Sequence, residues 1–256
     1  MSSGDDLSYL AAGGKLTAPD NATPRYRGEV MRQMAVLTDS LLAGAAGFAE
    51  CINLAPGLKE RITAAGIVRE KFSHAGRILE LMDQFGANRA QYVSAHSWEA
   101  RRDRSVYLGT RRIEGDMRLS VFHYPIQGWV DSVVLNTLMG RATVIQLDEL
   151  AHSSYAPFAE AVAEILPGEA RHAELGRRGF GALLVAGSAK LDAQAAVNYW
   201  YQRVADTFGR ANSERFETHR RLGLRHHPNE ELRRRWQDEA DPLLKGFGLL
   251  PPEREG

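Results

Sequence analysis

The sequence predicts an all-α protein built from long amphipathic helices. Apolar residues recur every three or four positions over several long stretches, which is the periodicity of a helix face. Proline and glycine punctuate the joints between these stretches, for example at Ala55-Pro56-Gly57. The alternation typical of a strand is confined to one short segment, Arg118 to Phe122, which is expected to be a short extended piece.

Composition limits the class of protein. A chain of 256 residues with 44% hydrophobic residues can form one large domain or two small ones with a sizeable core. Lys+Arg and Asp+Glu both count 32, so the net charge is zero. This balance argues against nucleic acid as a partner, because no basic excess is available for phosphates. It also favours association into an oligomer.

Cysteine content and hydropathy predict a soluble, cytoplasmic protein that does not use a membrane. The single cysteine, Cys51, excludes an internal disulfide and fits a reducing compartment. The first twenty residues are polar and glycine-rich, unlike a signal peptide, and no stretch reaches the ~18 uninterrupted apolar residues of a membrane span. Residues 1–23 are expected to form a flexible lead-in, and residues 24–256 a single helical domain with a C-terminal extension.

The first helix is predicted from about Tyr26 to Leu54. Its second half is apolar or small nearly all round, as in a helix that is buried on more than one side. Glu50 is the only charge in that half. Two interpretations of Glu50 stay open: it reaches a helix end or a buried arginine, or it is a metal ligand.

The second helix is predicted from about Leu58 to Gln84, with a stop near Gly86. Both of its faces are largely apolar, so this helix is also expected to be covered on two sides. His74 lies on one of these faces and is either a hydrogen-bonded core histidine or a ligand. Lys71 lies one turn before it, and a buried lysine must lose its proton or find a carboxylate.

The remaining segments are assigned in the same way. Residues 88–127 are predicted to be irregular and rich in arginine, forming either a solvated surface or a rim that binds phosphate or a partner. Four more helices are predicted, with the last one stopped by Pro242. They run from about Gly128 to Leu150, Tyr155 to Gly181, Leu191 to Phe208 and Asn229 to Ala240.

The fourth predicted helix carries Glu169 and His172, one turn apart on a stripe that is otherwise apolar. The two side chains therefore point at the core. A buried charged Glu169 needs compensation by a metal, a basic residue or a hydrogen-bond network. Pro167-Gly168 is expected to loosen the turn that presents Glu169.

Together the helices form two pairs, the first offering Glu50 and His74 and the second offering Glu169 and His172. This is the plan of a ferritin-like four-helix bundle with additional C-terminal helices, in which carboxylate and Glu-x-x-His helices surround two irons.

The sequence resembles the phenylacetic acid catabolic proteins over about residues 26 to 252, and within them the catalytic subunit of phenylacetyl-CoA epoxidase. The motifs that carry the resemblance include Glu50 to Lys59, Phe122 to Pro125, Ser153 to Ala159, Glu169 to His172 and Asn229 to Arg233. It implies a di-iron oxygenase that activates dioxygen, acts on an aromatic acyl-CoA, and pairs with a reductase and with a ferritin-like structural subunit.

The resemblance also implies a set of metal ligands, and the match is incomplete. Matching positions assign Glu50, His74, Glu169 and His172 as ligands. The glutamate of the first Glu-x-x-His pair falls on Lys71, and the aspartate of the third helix falls on Gly140. Glu70 is not expected to replace the glutamate, because it lies about 100° round the helix from Lys71.

Three interpretations of this altered site stay open. Lys71 can form a buried ion-pair network with the remaining carboxylates, the two histidines and two glutamates can hold one metal ion, or Lys71 can become a carbamate that bridges two. The leading hypothesis is an iron-dependent monooxygenase with an altered site, possessing one or two irons, in which Lys71 tunes the charge or reacts. The alternative is a metal-free structural or regulatory subunit of such a complex. In either case the chain is expected to form a homo-oligomer or to pair with a related subunit.

Overall fold

The computed structural model describes residues 8–10, 12–113, 115–185 and 189–253. Within those ranges the fold is all-α, as predicted, and the sole β-type pairing is an isolated bridge between Leu16 and Tyr155. The helices longer than one turn are α1 (Pro24–Glu50), α2 (Leu58–Gln84), α3 (Arg89–Ser94), α4 (Gly128–Leu150), α5 (Ala156–Val185), α6 (Lys190–Ala205), α7 (Glu214–Arg221) and α8 (Asn229–Gly246).

Four long helices form the bundle that holds the site. α1 packs against α2, α4 packs against α5, and α2 packs against α5 across the bundle. One apolar core lies between α1, α2 and α5, and a second lies between α4, α6 and α8. The site residues of α2 and α5 therefore face one another.

Local signals mark several ends of the bundle helices. Thr23 caps α1 by accepting a hydrogen bond from the backbone N–H of Tyr26. Gly86 follows α2 with a φ of +88°, a conformation that favours glycine. The end of α1 differs from the predicted Leu54: the helix ends at Glu50, because residues Ile52–Leu54 form a separate 3₁₀ turn before α2 begins.

Three local expectations are wrong. The alternating segment from Arg118 to Phe122 is not extended, because Ser120–His123 form a 3₁₀ turn. The last helix passes through Pro242 to Gly246, since the buried side chain of Leu244 anchors the turn beyond the proline. The short helices α3 and α7 are not among the predicted helices, because α3 has only six residues and α7 is too polar to show an apolar face.

The arginines between α3 and α4 range from exposed to fully buried. Arg102, Arg111 and Arg112 are exposed, and Arg101 and Arg104 are partly buried. Arg118 is 2% exposed and donates to the carbonyls of Ser97 and Trp98, so it holds the irregular segment together. Burying an arginine with carbonyl partners fixes a loop that has no regular secondary structure.

Residues 1–7 and 11 of the predicted lead-in lie outside the described residues, and the division into lead-in and domain stays a prediction. In the described part, the backbone N–H of Leu16 donates to the carbonyl of Ser154, and Leu10 is buried.

By length and composition, the stretch Pro24–Leu54 is apolar enough to cross a membrane, with a hydropathy of 1.4. In the structure, 61% of its apolar window is buried inside the bundle. Its hydropathy is therefore explained by its central position in the core.

Glu149, near the end of α4, binds the segment that precedes α8. It is 4% exposed, and its carboxylate accepts hydrogen bonds from the backbone N–H groups of His226 and His227 and from Arg225. Burial raises the pKa of Glu149, but these hydrogen bonds outweigh burial and leave the pKa below its usual value. The charged form is therefore the one that stabilises the fold.

Glu149→Gln is expected to lower the free energy of unfolding by about 1–3 kcal/mol at neutral pH, because buried donors lose their charged acceptor. Since the folded pKa is depressed, the contribution is present above the unfolded pKa and is lost as the pH falls through the folded pKa. Denaturant unfolding of both proteins at several pH values measures the difference. A gap that does not narrow in acid would contradict this assignment.

Candidate functional site

Glu169 is the centre of a cluster of charged and polar side chains between α2 and α5. It is fully buried, and the ammonium Nζ of Lys71 lies 2.5 Å from its Oε2. His74 Nδ1 lies 3.0 Å from its Oε1. The carboxylate of Glu169 is thus held from both oxygens by side chains of α2.

His172 extends the cluster on the other side. Its Nδ1 lies 3.5 Å from Glu169 Oε2 and has no hydrogen-bond partner, although the side chain is 2% exposed. Its Nε2 lies 2.7 Å from Glu70 Oε2. Glu70 also accepts a hydrogen bond from Arg171. The result is a chain of contacts from Glu70 through His172 to Glu169.

The sequence analysis does not expect Glu70 to take part in the site, but the structure places it in the cluster. Its position about 100° from Lys71 does turn it away from Glu169. It nevertheless meets the facing helix, where Arg171 and His172 supply nitrogen donors. The sequence does contain a signal for this contact. Arg171 and His172 follow Glu169 closely on α5, and two such nitrogen-bearing side chains require a second carboxylate.

The charges of the cluster favour an ionised Glu169. Burial raises the pKa of this carboxyl, but the ammonium of Lys71, the nearby ring nitrogen of His172 and the hydrogen bond with His74 outweigh burial. The pKa of Glu169 therefore lies well below its ordinary value. Lys71 finds the carboxylate that a largely buried lysine requires.

Glu50 is not part of this cluster. Its side chain is 53% exposed and its Oε1 lies 3.7 Å from Arg101, whose side chain is 12% exposed. The candidate site residues therefore come together only in part. Lys71, His74 and His172 surround Glu169, whereas Glu50 is paired with a mostly buried arginine. Whether any of these residues binds metal stays a prediction.

Gly140 leaves no room for the side chain that the ligand pattern would place there. A Cβ built on Gly140 would lie 2.9 Å from the Cα of Ala173, which directly follows His172. Glycine is required here because α4 and α5 pack with their backbones close together. An aspartate at this position would have to push the two helices apart.

Pro167 and Gly168 do not interrupt α5, which is continuous from Ala156 to Val185. A Cβ on Gly168 would lie 2.9 Å from Cε1 of His74. The glycine therefore has a packing role, since it lets the His74 ring approach α5 closely enough to reach Glu169.

Two cavities meet at Lys71. The larger has a volume of about 330 Å³ and the smaller a volume of about 50 Å³. Glu169, His172 and Gly140 line the smaller cavity. Lys71 lines both, so its ammonium lies between the buried cluster and the larger cavity.

The larger cavity is apolar along much of its wall and cationic elsewhere. Its apolar lining comes mainly from α1 and α4 and includes Val36, Leu37, Leu41, Met139 and Leu147. Its basic lining consists of Lys71, Arg32, Arg112, Arg215, Arg225 and His219, and no Asp or Glu of the described residues joins it. Arg215 is 49% exposed, so this end reaches solvent.

Such a cavity suits a ligand with an apolar group and an anionic group. Two of the arginines already have carboxylate partners, Arg215 with Glu29 and Arg225 with Glu149. These partners orient the guanidinium groups and still leave donors, since each guanidinium has five N–H groups.

Comparison with known proteins agrees with the resemblance seen in the motifs. The family model of the phenylacetic acid catabolic proteins matches residues 5–256. Over 232 residues the chain is 25% identical to one of the subunits of 1,2-phenylacetyl-CoA epoxidase from Escherichia coli (strain K12), covering 89% of this chain and 70% of that protein. The chain belongs to the phenylacetic acid catabolic protein family.

Proposed function

We propose that this chain is a ligand-binding subunit of a multi-subunit oxygenase of this family, and that an ion-pair cluster takes the place of the di-iron centre. The observation that carries the proposal is the contact between Lys71 and Glu169, 2.5 Å apart. The ammonium lies against the carboxylate that a metal would need. A fixed positive charge beside the remaining ligands competes directly with a divalent cation.

The residues present do not fit two irons. Glu50 pairs with Arg101, Lys71 brings a cation, and Gly140 has no space for a carboxylate. In the described part of the chain, no group of three or more His, Cys, Asp or Glu side chains is arranged to hold a metal ion. The cluster supplies the positive charge and the hydrogen bond that compensate for the burial of the Glu169 carboxylate.

The ligand class follows from the cavity and the relative. That relative is named for an epoxidase of phenylacetyl-CoA. The apolar wall suits an aromatic acyl group, and the arginines suit the phosphates of a coenzyme A thioester. A volume of about 330 Å³ admits the acyl end, while the nucleotide remains at the exposed arginines.

Titration calorimetry with phenylacetyl-CoA tests this assignment. The thioester should bind, and phenylacetate alone should bind at least tenfold more weakly, because it lacks the phosphates. Arg112→Ala should weaken thioester binding roughly tenfold, since it removes charge-assisted hydrogen bonds. Raising the salt concentration should weaken binding as well.

Arg111→Ala is the matched control for Arg112→Ala. Arg111 is an exposed neighbour whose side chain donates to the carbonyls of Tyr107 and Leu108, and it does not line the cavity. Its replacement should leave thioester affinity unchanged. Equal losses in the two variants, or no thioester binding at millimolar concentration, would contradict the assignment.

A second candidate function is an oxygenase with a single iron, favoured by the nitrogen of His172 that lacks a partner. The Nδ1 atoms of His74 and His172 both face Glu169. Two histidines and one carboxylate are the donor set of mononuclear non-haem iron oxygenases, in which the iron activates dioxygen. For iron to bind, the side chain of Lys71 would have to move away from Glu169. The same movement would be needed if Lys71 became a carbamate.

The proposed partners and location of the chain follow from its membership of this family. The relative is named as one subunit of its enzyme, and we propose that this chain likewise joins a reductase and a related helical subunit in the cytoplasm. Co-purification with its genomic neighbours, followed by mass measurement of the complex, examines this part of the proposal.

A further inference from the structure

The outer face of α2 exposes large apolar side chains. Leu58 is 73% exposed, Ile62 is 64% exposed and Phe72 is 42% exposed. The sequence predicts that α2 is covered on both faces, but the described residues leave these three side chains uncovered. Three large apolar groups exposed on one helix face indicate a docking surface.

Small residues lie on the same face. Gly66 and Gly76 are in the interior of α2, where glycine destabilises a helix relative to alanine. A Cβ built on either one meets nothing within 4 Å. Packing within this chain therefore does not require glycine at these positions. The close approach of a second backbone would, and Ser73 beside Gly76 is also exposed.

The exposed charges of this face are arranged symmetrically. Arg69 is 82% exposed and Glu80 is 55% exposed, and they lie on opposite sides of Ser73 and Gly76 along the helix. All four fall within an arc of about 60° at 3.6 residues per turn. Among the described residues, the charged contacts of Glu80 are long, 3.7 Å to Arg77 and 3.8 Å to Arg89.

We propose that a second copy of this chain docks here, with its α2 antiparallel to the first. A two-fold axis between Ser73 and Gly76 places Ser73 of one copy opposite Gly76 of the other and brings Phe72 close to the axis, whereas Leu58 and Ile62 lie beyond the end of the partner's helix. It also places Arg69 of each copy opposite Glu80 of the other, so the charges complement one another twice. The same surface serves both copies, as an isologous dimer requires.

Sedimentation velocity of the purified full chain tests the surface. The wild type should be dimeric at micromolar concentration, and Phe72→Glu should weaken the dimer at least tenfold. Leu191→Glu is the control, because Leu191 is 85% exposed and belongs to α6, away from α2. A monomeric wild type, or a dimer unaffected by Phe72→Glu, would overturn the proposal. Circular dichroism establishes that each variant is folded.

A charge exchange tests the antiparallel arrangement. Arg69→Glu and Glu80→Arg should each weaken the dimer, because each sets like charges opposite one another. The double variant should regain most of the wild-type affinity, since both intermolecular pairs are rebuilt with reversed sign. If the double variant is as weak as the singles, or if only a different subunit binds this face, a second copy is not the occupant.

Discussion

Lys71→Met is expected to lower the free energy of unfolding by about 3–5 kcal/mol, the cost of breaking a buried ion pair by removing one partner. Glu169 is fully buried and the side chain of Lys71 is 15% exposed, so solvent screens their attraction poorly. Without the ammonium, Glu169 keeps His74 as a hydrogen-bond partner but loses its balancing charge. Denaturant unfolding at neutral pH measures the loss.

The double variant Lys71→Met with Glu169→Gln is the control. It removes both charges, so it should be more stable than Lys71→Met alone, and the difference gives the coupling between the two residues. Since the folded pKa of Glu169 is depressed, the ion pair stabilises the fold above the unfolded pKa of the carboxyl. The contribution is lost as the pH falls through the folded pKa. A cost below about 1 kcal/mol for Lys71→Met would mean that the pair is solvated.

The sequence predicts the bundle because its signals are local and repeated. The bounds of α2 and α4 agree with the predicted residues, since apolar periodicity ends at clear breaks such as Ala55-Pro56-Gly57. The pairing of Lys71 with Glu169 is also among the interpretations, because a buried lysine requires a carboxylate. Each of these inferences uses only the residues of one helix face or the charge of one buried side chain.

What the sequence does not reveal depends on distances between helices. Glu70 joins the cluster because α5 presents His172 to it, and its angle on α2 does not reveal that. Glycine is needed at position 140 because a Cβ there would lie 2.9 Å from the Cα of Ala173, and no pattern within α4 shows this proximity. For Glu50, the last residue of α1, the sequence leaves open a contact with a buried arginine and a role as a ligand, and the structure contains the contact with Arg101.

Lys71→Glu is expected to increase iron binding, because it replaces a cation beside Glu169 with a carboxylate and changes the local charge by two units. His74, Glu169 and His172 would then be joined by a fourth donor. Gly140→Asp is not a useful addition, since the contact with Ala173 leaves no room for its side chain. Lys71→Met is the control for merely removing the cation.

The iron content of the wild-type protein tests the central claim most directly. The claim is that the ammonium of Lys71 holds Glu169 in place of a metal centre. Protein expressed with added iron, purified without chelator and measured by elemental analysis should therefore contain well below one equivalent of iron per chain. A full equivalent or more, together with dioxygen consumption that chelation abolishes, would contradict the claim and establish the altered-site oxygenase.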